Sequence, residues 1–211
     1  MKKIFLFLFL FSIIGCTIQF DGETKLVTEG KIVDKQGNPI VSKKIKIYAY
    51  NHYDSNLISY GNTDENGYFS LVFPAPMYID DQVIIEVNEN QNDNYQNKMI
   101  YSLRSNFTNY KLNLNTIVLF GTTDITQLQI ILNHVNSNTS ITDIQVEGLL
   151  PNEIEDLNSV NPFDYQSDVS FNVIKNQTVI LKYKIIQNGI PTNFSQNITI
   201  SNSPVNYTLN Y

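Results

Sequence analysis

The sequence predicts an all-β chain, two tandem β-sandwiches behind a cleaved leader. Three observations point there. Ile, Val, Tyr, Phe and Thr dominate the ordered-looking stretches, and these residues suit a pleated, half-buried surface. Apolar and polar residues alternate in short runs bounded by Gly, Pro, Asn and Asp, the period-two signature of strands. Two turns of the same chemistry, Asp34-Lys35-Gln36-Gly37 and Asp64-Glu65-Asn66-Gly67, punctuate the first half. In each, an aspartate carboxylate can fold onto the backbone N–H groups ahead of it, and a glycine can take the positive φ that closes the turn. Pro39 gives the first turn a rigid exit.

The chain begins Met1-Lys2-Lys3, runs apolar over positions 4–14 apart from Ser12, and reaches Gly15-Cys16. A basic start and an apolar run of this length make a secretory signal and are too short to span a bilayer, which needs about 20 residues. Ile13-Ile14-Gly15-Cys16 resembles the lipobox of bacterial lipoproteins: an aliphatic pair, a small residue and a cysteine. In that family the sulfur takes a diacylglycerol with palmitate-like chains, the signal is cut just before the cysteine, and the new amine is acylated too. Cys16 is the only cysteine, so it has no partner for a disulfide. The resemblance implies a signal peptide over 1–15, and an acylated Cys16 with a short polar tether over 16–24. It also implies attachment to the membrane through the N-terminal lipid. Thr17, where an aspartate would signal retention, resembles the sorting pattern of outer-membrane lipoproteins, on the periplasmic face or the cell surface.

Removal of Lys2 and Lys3 takes the 14 basic side chains to 12 against 20 acidic ones, a net −8. An acidic surface without an Arg/Lys stripe argues against nucleic acid as a partner.

The first domain is read over 25–119. Strands are expected at 25–34, at 44–50, where Ile45, Ile47 and Ala49 alternate with Lys44, Lys46, Tyr48 and Tyr50, and at 57–63. Further strands follow from Tyr68, with Phe69, Leu71 and Phe73 on one face, then at 82–87, 98–103 and 110–119. Pro74 and Pro76 are expected to end the fourth, because proline cannot donate to a ladder. About seven strands at this spacing suit a sandwich.

Gly30-Lys31-Ile32-Val33-Asp34-Lys35-Gln36-Gly37-Asn38-Pro39-Ile40, then Ile45-Lys46-Ile47, then Thr63-Asp64-Glu65-Asn66-Gly67-Tyr68-Phe69, resembles the carboxypeptidase regulatory-like, or transthyretin-like, domain. Ser42-Lys43 departs from the small Gly-Ala pair common in that family. The resemblance implies a non-catalytic sandwich of the kind appended to peptidases, surface lipoproteins and transporter plugs. A related branch of the transthyretin architecture hydrolyses a urate product with several histidines, an arginine and a Tyr-Arg-Gly-Ser-type tail. This chain has only His52, His134 and Arg104, and ends Tyr207-Thr208-Leu209-Asn210-Tyr211.

The remaining chemistry is sparse. Zinc needs clustered His, Cys and carboxylates, and the two histidines fall in different predicted domains. No Gly-x-Ser-x-Gly elbow accompanies either as a base. The stretch Asn88-Glu89-Asn90-Gln91-Asn92-Asp93-Asn94 has alternating oxygens but lacks the central glycine and terminal glutamate of a calcium loop, so it reads as a solvated connection. Asp80-Asp81 reads as a turn. No cofactor and no metal are expected. Nine of the thirteen tyrosines fall in the first domain, where they either cover strand faces or offer rings to sugars and proteins. The Asn-x-Ser/Thr sequons follow from an Asn- and Thr-rich composition.

The second domain, 120–211, carries no recognised motif. Gly121 to Asp124 reads as a linker, and residues 128–135 fit helical and strand spacing alike, with strand chosen from the β-rich surroundings. Strands are expected at 141–146, 169–173, 178–187 and 190–200, with one short helical turn within 152–160 after Pro151. Asn188-Gly189 between the last two strands suits a type I′ hairpin turn. By strand count this half is Ig-like. The expected function is a membrane-anchored, non-enzymatic binding or assembly module at the outer membrane or cell surface, accessory to a transporter or surface complex. The alternative is a free-standing adhesin or glycan-binding protein, so the partner is a protein or a glycan.

Overall fold

The computed structural model describes residues 18–51, 54–89, 94–158 and 169–211. The leader and Cys16 lie outside the described residues, as do His52, Tyr53 and positions 90–93 of the Asn-rich loop.

The fold is all-β and built as sandwiches. Seven strands run in order through the first half: β1 (Phe20–Val33), β2 (Lys44–Tyr50), β3 (Ser55–Asn62), β4 (Tyr68–Pro76), β5 (Gln82–Val87), β6 (Lys98–Leu103) and β7 (Lys111–Val118). Seven more follow: β8 (Ile125–Asn133), β9 (Thr139–Glu147), β10 (Ile154–Asp156), β11 (Val169–Ile174), β12 (Gln177–Gln187), β13 (Ile190–Ile200) and β14 (Val205–Asn210). In the first sandwich a sheet ordered β4-β1-β7 faces one ordered β10-β6-β5-β2-β3. In the second, β11-β8-β14 faces β13-β12-β9.

Each sandwich has its own core, made by the strand alternation. Ile45, Ile47 and Ala49 of β2 are fully buried, while Lys44, Tyr48 and Tyr50 face outward. They meet Leu26 and Ile32 of β1, Phe69 and Phe73 of β4, and Leu112 and Ile117 of β7. The second core joins Leu128, Ile130, Val173 and Leu209 of one sheet to Ile141, Val179, Leu181, Tyr183 and Ile198 of the other. Burying a large aliphatic side chain contributes about 1.5–3 kcal/mol, so these two clusters hold the sheets together. In both sandwiches the opening strand pairs in parallel with the closing one, β1 with β7 and β8 with β14.

Three readings change. The segment expected as a tether is strand from Phe20 onward, because Phe20 pairs with Pro76 across a bulge before Lys25 resumes opposite Pro74. Pro74 accordingly lies inside β4, while Pro76 is its last residue, as expected. β4 is a sheet edge, where a missing N–H costs no ladder bond. The expected helical turn within 152–160 is β10 at Ile154–Asp156. It pairs in parallel with β6 of the first sandwich, through Met99 N–H to the Glu153 carbonyl (2.7 Å) and Leu157 N–H to that of Tyr101 (3.0 Å). The second half of the chain thus completes a sheet of the first. The C-terminal segment adds a strand that the sequence did not suggest, β14, seated beside β8.

Candidate functional site

The two Asp-x-x-Gly turns come together at one end of the first sandwich. The Asp34 carboxylate accepts from the N–H groups of Gln36 and Asn38, both at 2.9 Å, and from the Asn38 side-chain amide at 3.0 Å. The Asn38 amide first, then the backbone donors, hold Asp34 below the usual carboxylate range, against its desolvation. The Asp64 carboxylate likewise accepts from Asn66 N–H (2.9 Å) and Tyr68 N–H (2.8 Å). Gly37 and Gly67 close the turns at φ +86° and +77°. Gly67 also lies against the first turn: its carbonyl accepts from Ile32 N–H at 2.8 Å, and a Cβ there would sit 3.1 Å from the Pro39 Cβ.

Beside the second turn, across the outer face of β4-β1-β7, lies a groove of about 680 Å³. Its floor and walls include Glu29, Lys31, Asn62, Asp64, Tyr68 and Asn115. Register explains the gathering. Lys31 sits opposite Tyr68 on one side and Thr116 on the other, and Glu29 sits opposite Ser70 and Asn113, so their side chains share the outer face. A bulge in β7 deepens it. Asn115 adopts φ +54°, its N–H held by the Asn113 side-chain oxygen at 2.8 Å. Lys31 lies 5.2 Å from the centroid of the Tyr68 ring, and Tyr68 remains 54% exposed. Glu29 is paired with Lys111 at 3.0 Å, and the Asp64 carboxylate is engaged by its turn. The groove therefore presents a half-exposed aromatic ring, side-chain amides and charges that already have partners. That is the chemistry of polar binding more than of proton transfer.

A second surface lies in the other sandwich. Asn188 (φ +51°) and Gly189 (φ +79°) form the two-residue turn that joins β12 to β13. In such a hairpin the flanking pair, Gln187 and Ile190, exchange hydrogen bonds, so the even-numbered residues of β13 bond inward to β12. The backbone groups of Asn193, Ser195, Asn197 and Thr199 then point outward. Among the described residues no strand lies on that side. The first eight residues of β13 are exposed, and none of its eleven is charged. Phe194 stacks on Tyr183 at 5.4 Å, carrying an apolar strip beyond the core. The neighbouring β12 lysines are neutralised across the sheet, Lys182 by Glu147 at 2.5 Å and Lys184 by Asp143.

Among the described residues the candidate chemical groups are not brought together. His134 packs its ring against that of the C-terminal Tyr211, centroids 5.1 Å apart. Among the described residues no three His, Cys, Asp or Glu side chains gather to hold a metal, and no helix is long and apolar enough to cross a membrane. At the start of the Asn-rich loop, Glu89 pairs with Lys46, and the Asn88 amide caps the carbonyls of Tyr95 (2.9 Å) and Gln96 (3.1 Å). Sequence reasoning missed the groove and the β13 edge. The period-two alternation placed Tyr68 and Lys31 on outward faces, but only strand order could bring them side by side.

No protein-family model and no curated protein matches the chain. Among solved structures, the 9R-lipoxygenase from Cyanothece PCC8801 aligns with 55% of this chain and 20% of its own, at 14% identity and a TM-score of 0.33. The Bacillus anthracis TIE protein aligns with 89% of this chain and 34% of its own, at 14% identity and a TM-score of 0.36. The shaft pilin SpaA from Lactobacillus rhamnosus GG aligns with 89% of this chain and 98% of its own, at 8% identity and a TM-score of 0.38. This chain thus spans a fifth to a third of the length of the first two. Likeness at this level carries no argument about function.

Proposed function

We propose that the chain is a lipid-anchored, non-catalytic binding and assembly module at the outer membrane or cell surface, accessory to a transporter or surface complex. The lipobox-like Ile13-Ile14-Gly15-Cys16 supports the anchor, with Cys16 as the acylated residue. The resemblance of the two Asp-x-x-Gly turns to those of carboxypeptidase regulatory-like domains supports a binding role. The observation that carries the reading is β13. A long, uncharged, exposed edge strand offers N–H and C=O groups to an extended segment of another protein, and main-chain pairing of this kind needs no pocket.

The test is recovery of the acylated protein from its native membrane in mild detergent, wild type beside Asn197→Pro. Proline at 197 deletes one outward N–H and no bond to β12. Wild type is expected to bring a stoichiometric protein partner that the variant leaves behind. A wild type that emerges alone, or a partner retained equally by the variant, counts against β13 as the contact.

The groove favours a second reading, a glycan-binding surface protein, because Tyr68 and the amides of Asn62 and Asn115 match the stacking and hydrogen bonding that sugars require. On that reading Tyr68→Ala weakens a glycan identified on an array about fivefold, the equivalent of about 1 kcal/mol of ring contact. Equal binding by the variant would remove the groove from consideration.

A further inference from the structure

We infer that the loop Met77-Tyr78-Ile79 is a second membrane contact, seated in the headgroup region of the same bilayer that holds the N-terminal lipid. The inference rests on the anchored reading of Cys16 and adds to it a defined face and orientation. Three consecutive large apolar side chains are exposed there: Met77 at 47%, Tyr78 at 56% and Ile79 at 62%. Elsewhere among the described residues exposed large apolar side chains occur singly along the chain, whereas three in a row mark a contact with something apolar.

The path of the chain says what. Met77 N–H donates to the Gln19 carbonyl at 2.9 Å, and the Tyr78 hydroxyl lies 3.5 Å from the Gln19 side-chain oxygen. Gln19 is three residue steps from Cys16, with only Thr17 and Ile18 between them, and three steps reach at most about 10 Å. Lipid on Cys16 therefore enters its bilayer within about 10 Å of a residue hydrogen-bonded to this loop. The loop is also held rigidly. Arg104 donates to the Pro76 carbonyl at 2.9 Å and pairs with Asp21 at 3.2 Å, tying the end of β4 to the start of β1. Asp80 and Asp81 close the apolar run after three residues, which limits entry to the interfacial depth that tyrosine favours.

Orientation follows. Tyr68 lies eight residues up β4 from Pro76, about 26 Å at 3.3 Å per residue, so a loop on the bilayer holds the groove away from the membrane.

The test uses the full chain purified from its membrane and reconstituted in phosphatidylethanolamine–phosphatidylglycerol vesicles, with Ile79→Cys, Met77→Cys or Ile190→Cys carrying a nitroxide. Acylation blocks the Cys16 sulfur, so an anchored chain takes one label and an unanchored chain takes two, read by mass spectrometry. With one label per chain, the probes at 79 and 77 are expected to favour collision with oxygen over a water-soluble nickel complex several-fold more than the probe at 190. Equal ratios with one label overturn the loop contact and leave the anchor standing. Two labels overturn both.

Discussion

A methyl group on Gly67 would meet the Ile32 carbonyl oxygen at 2.5 Å and the Pro39 Cβ at 3.1 Å, whereas one on Gly189 would meet nothing within 4 Å. Both residues hold positive φ, so alanine at either costs about 1–2 kcal/mol of left-handed strain. Only Gly67→Ala adds a backbone clash where two turns touch. Urea unfolding is expected to rank Gly67→Ala clearly below Gly189→Ala, and equal losses would contradict the close approach. Asp21 makes a second point at this scale. The Thr24 hydroxyl, then the N–H groups of Glu23 and Thr24, with Arg104 a lesser contributor, hold its carboxyl down from 3.8 to about 2. A depressed carboxylate adds stability that is fully present above about pH 4 and is lost as pH falls through about 2. Asp21→Asn should flatten the loss of stability over that window, read by circular dichroism during acid titration. An unchanged slope would show that the carboxylate is not held this way.

At the scale of elements, the β12–β13 hairpin gives a direct test of register. Gln196 pairs inward with Leu181, whereas Asn197 turns its N–H outward. Gln196→Pro removes a ladder bond and should cost about 1–3 kcal/mol, while Asn197→Pro should leave the melting temperature nearly unchanged. The opposite ranking would mean that the ladder is shifted by one residue. The hairpin was legible because its signal is local: Asn-Gly favours positive φ at both turn positions, and the flanking residues alternate. The same locality made the Asp34 and Asp64 turns readable. β10 was not legible, because an acidic stretch after Pro151 suits a helix start as well as anything, and its strand character comes from β6, more than fifty residues earlier. Pro74 misled for a related reason. A proline ends a central strand but not an edge strand, and edge position is a property of the sheet.

Across the whole molecule, two cores are joined by more than a linker. β10 crosses to the first sandwich, where Glu155 pairs with Lys98 at 2.7 Å, and Lys35 pairs with Asp124 at 2.8 Å near the junction. The Lys175 ammonium adds a bond to the Thr123 carbonyl at 2.7 Å. A chain ending at 119 loses β10 and leaves the Met99 N–H and Tyr101 carbonyl without their partners. It is expected to melt below the first transition of the full chain in calorimetry. An equal melting temperature would show that β10 adds nothing to the first core. The sequence by itself determined the all-β class, the alternating faces of β2 and β4, and the turns at Asp34, Asp64 and Asn188, because each depends on residues within a few positions of one another. Tertiary structure alone decided which strands are edges, where Tyr68 and Asn115 share a groove, and that Met77 lies beside Gln19. These are relations between strands far apart in sequence, set by which cores bury most apolar surface, and no local pattern encodes them.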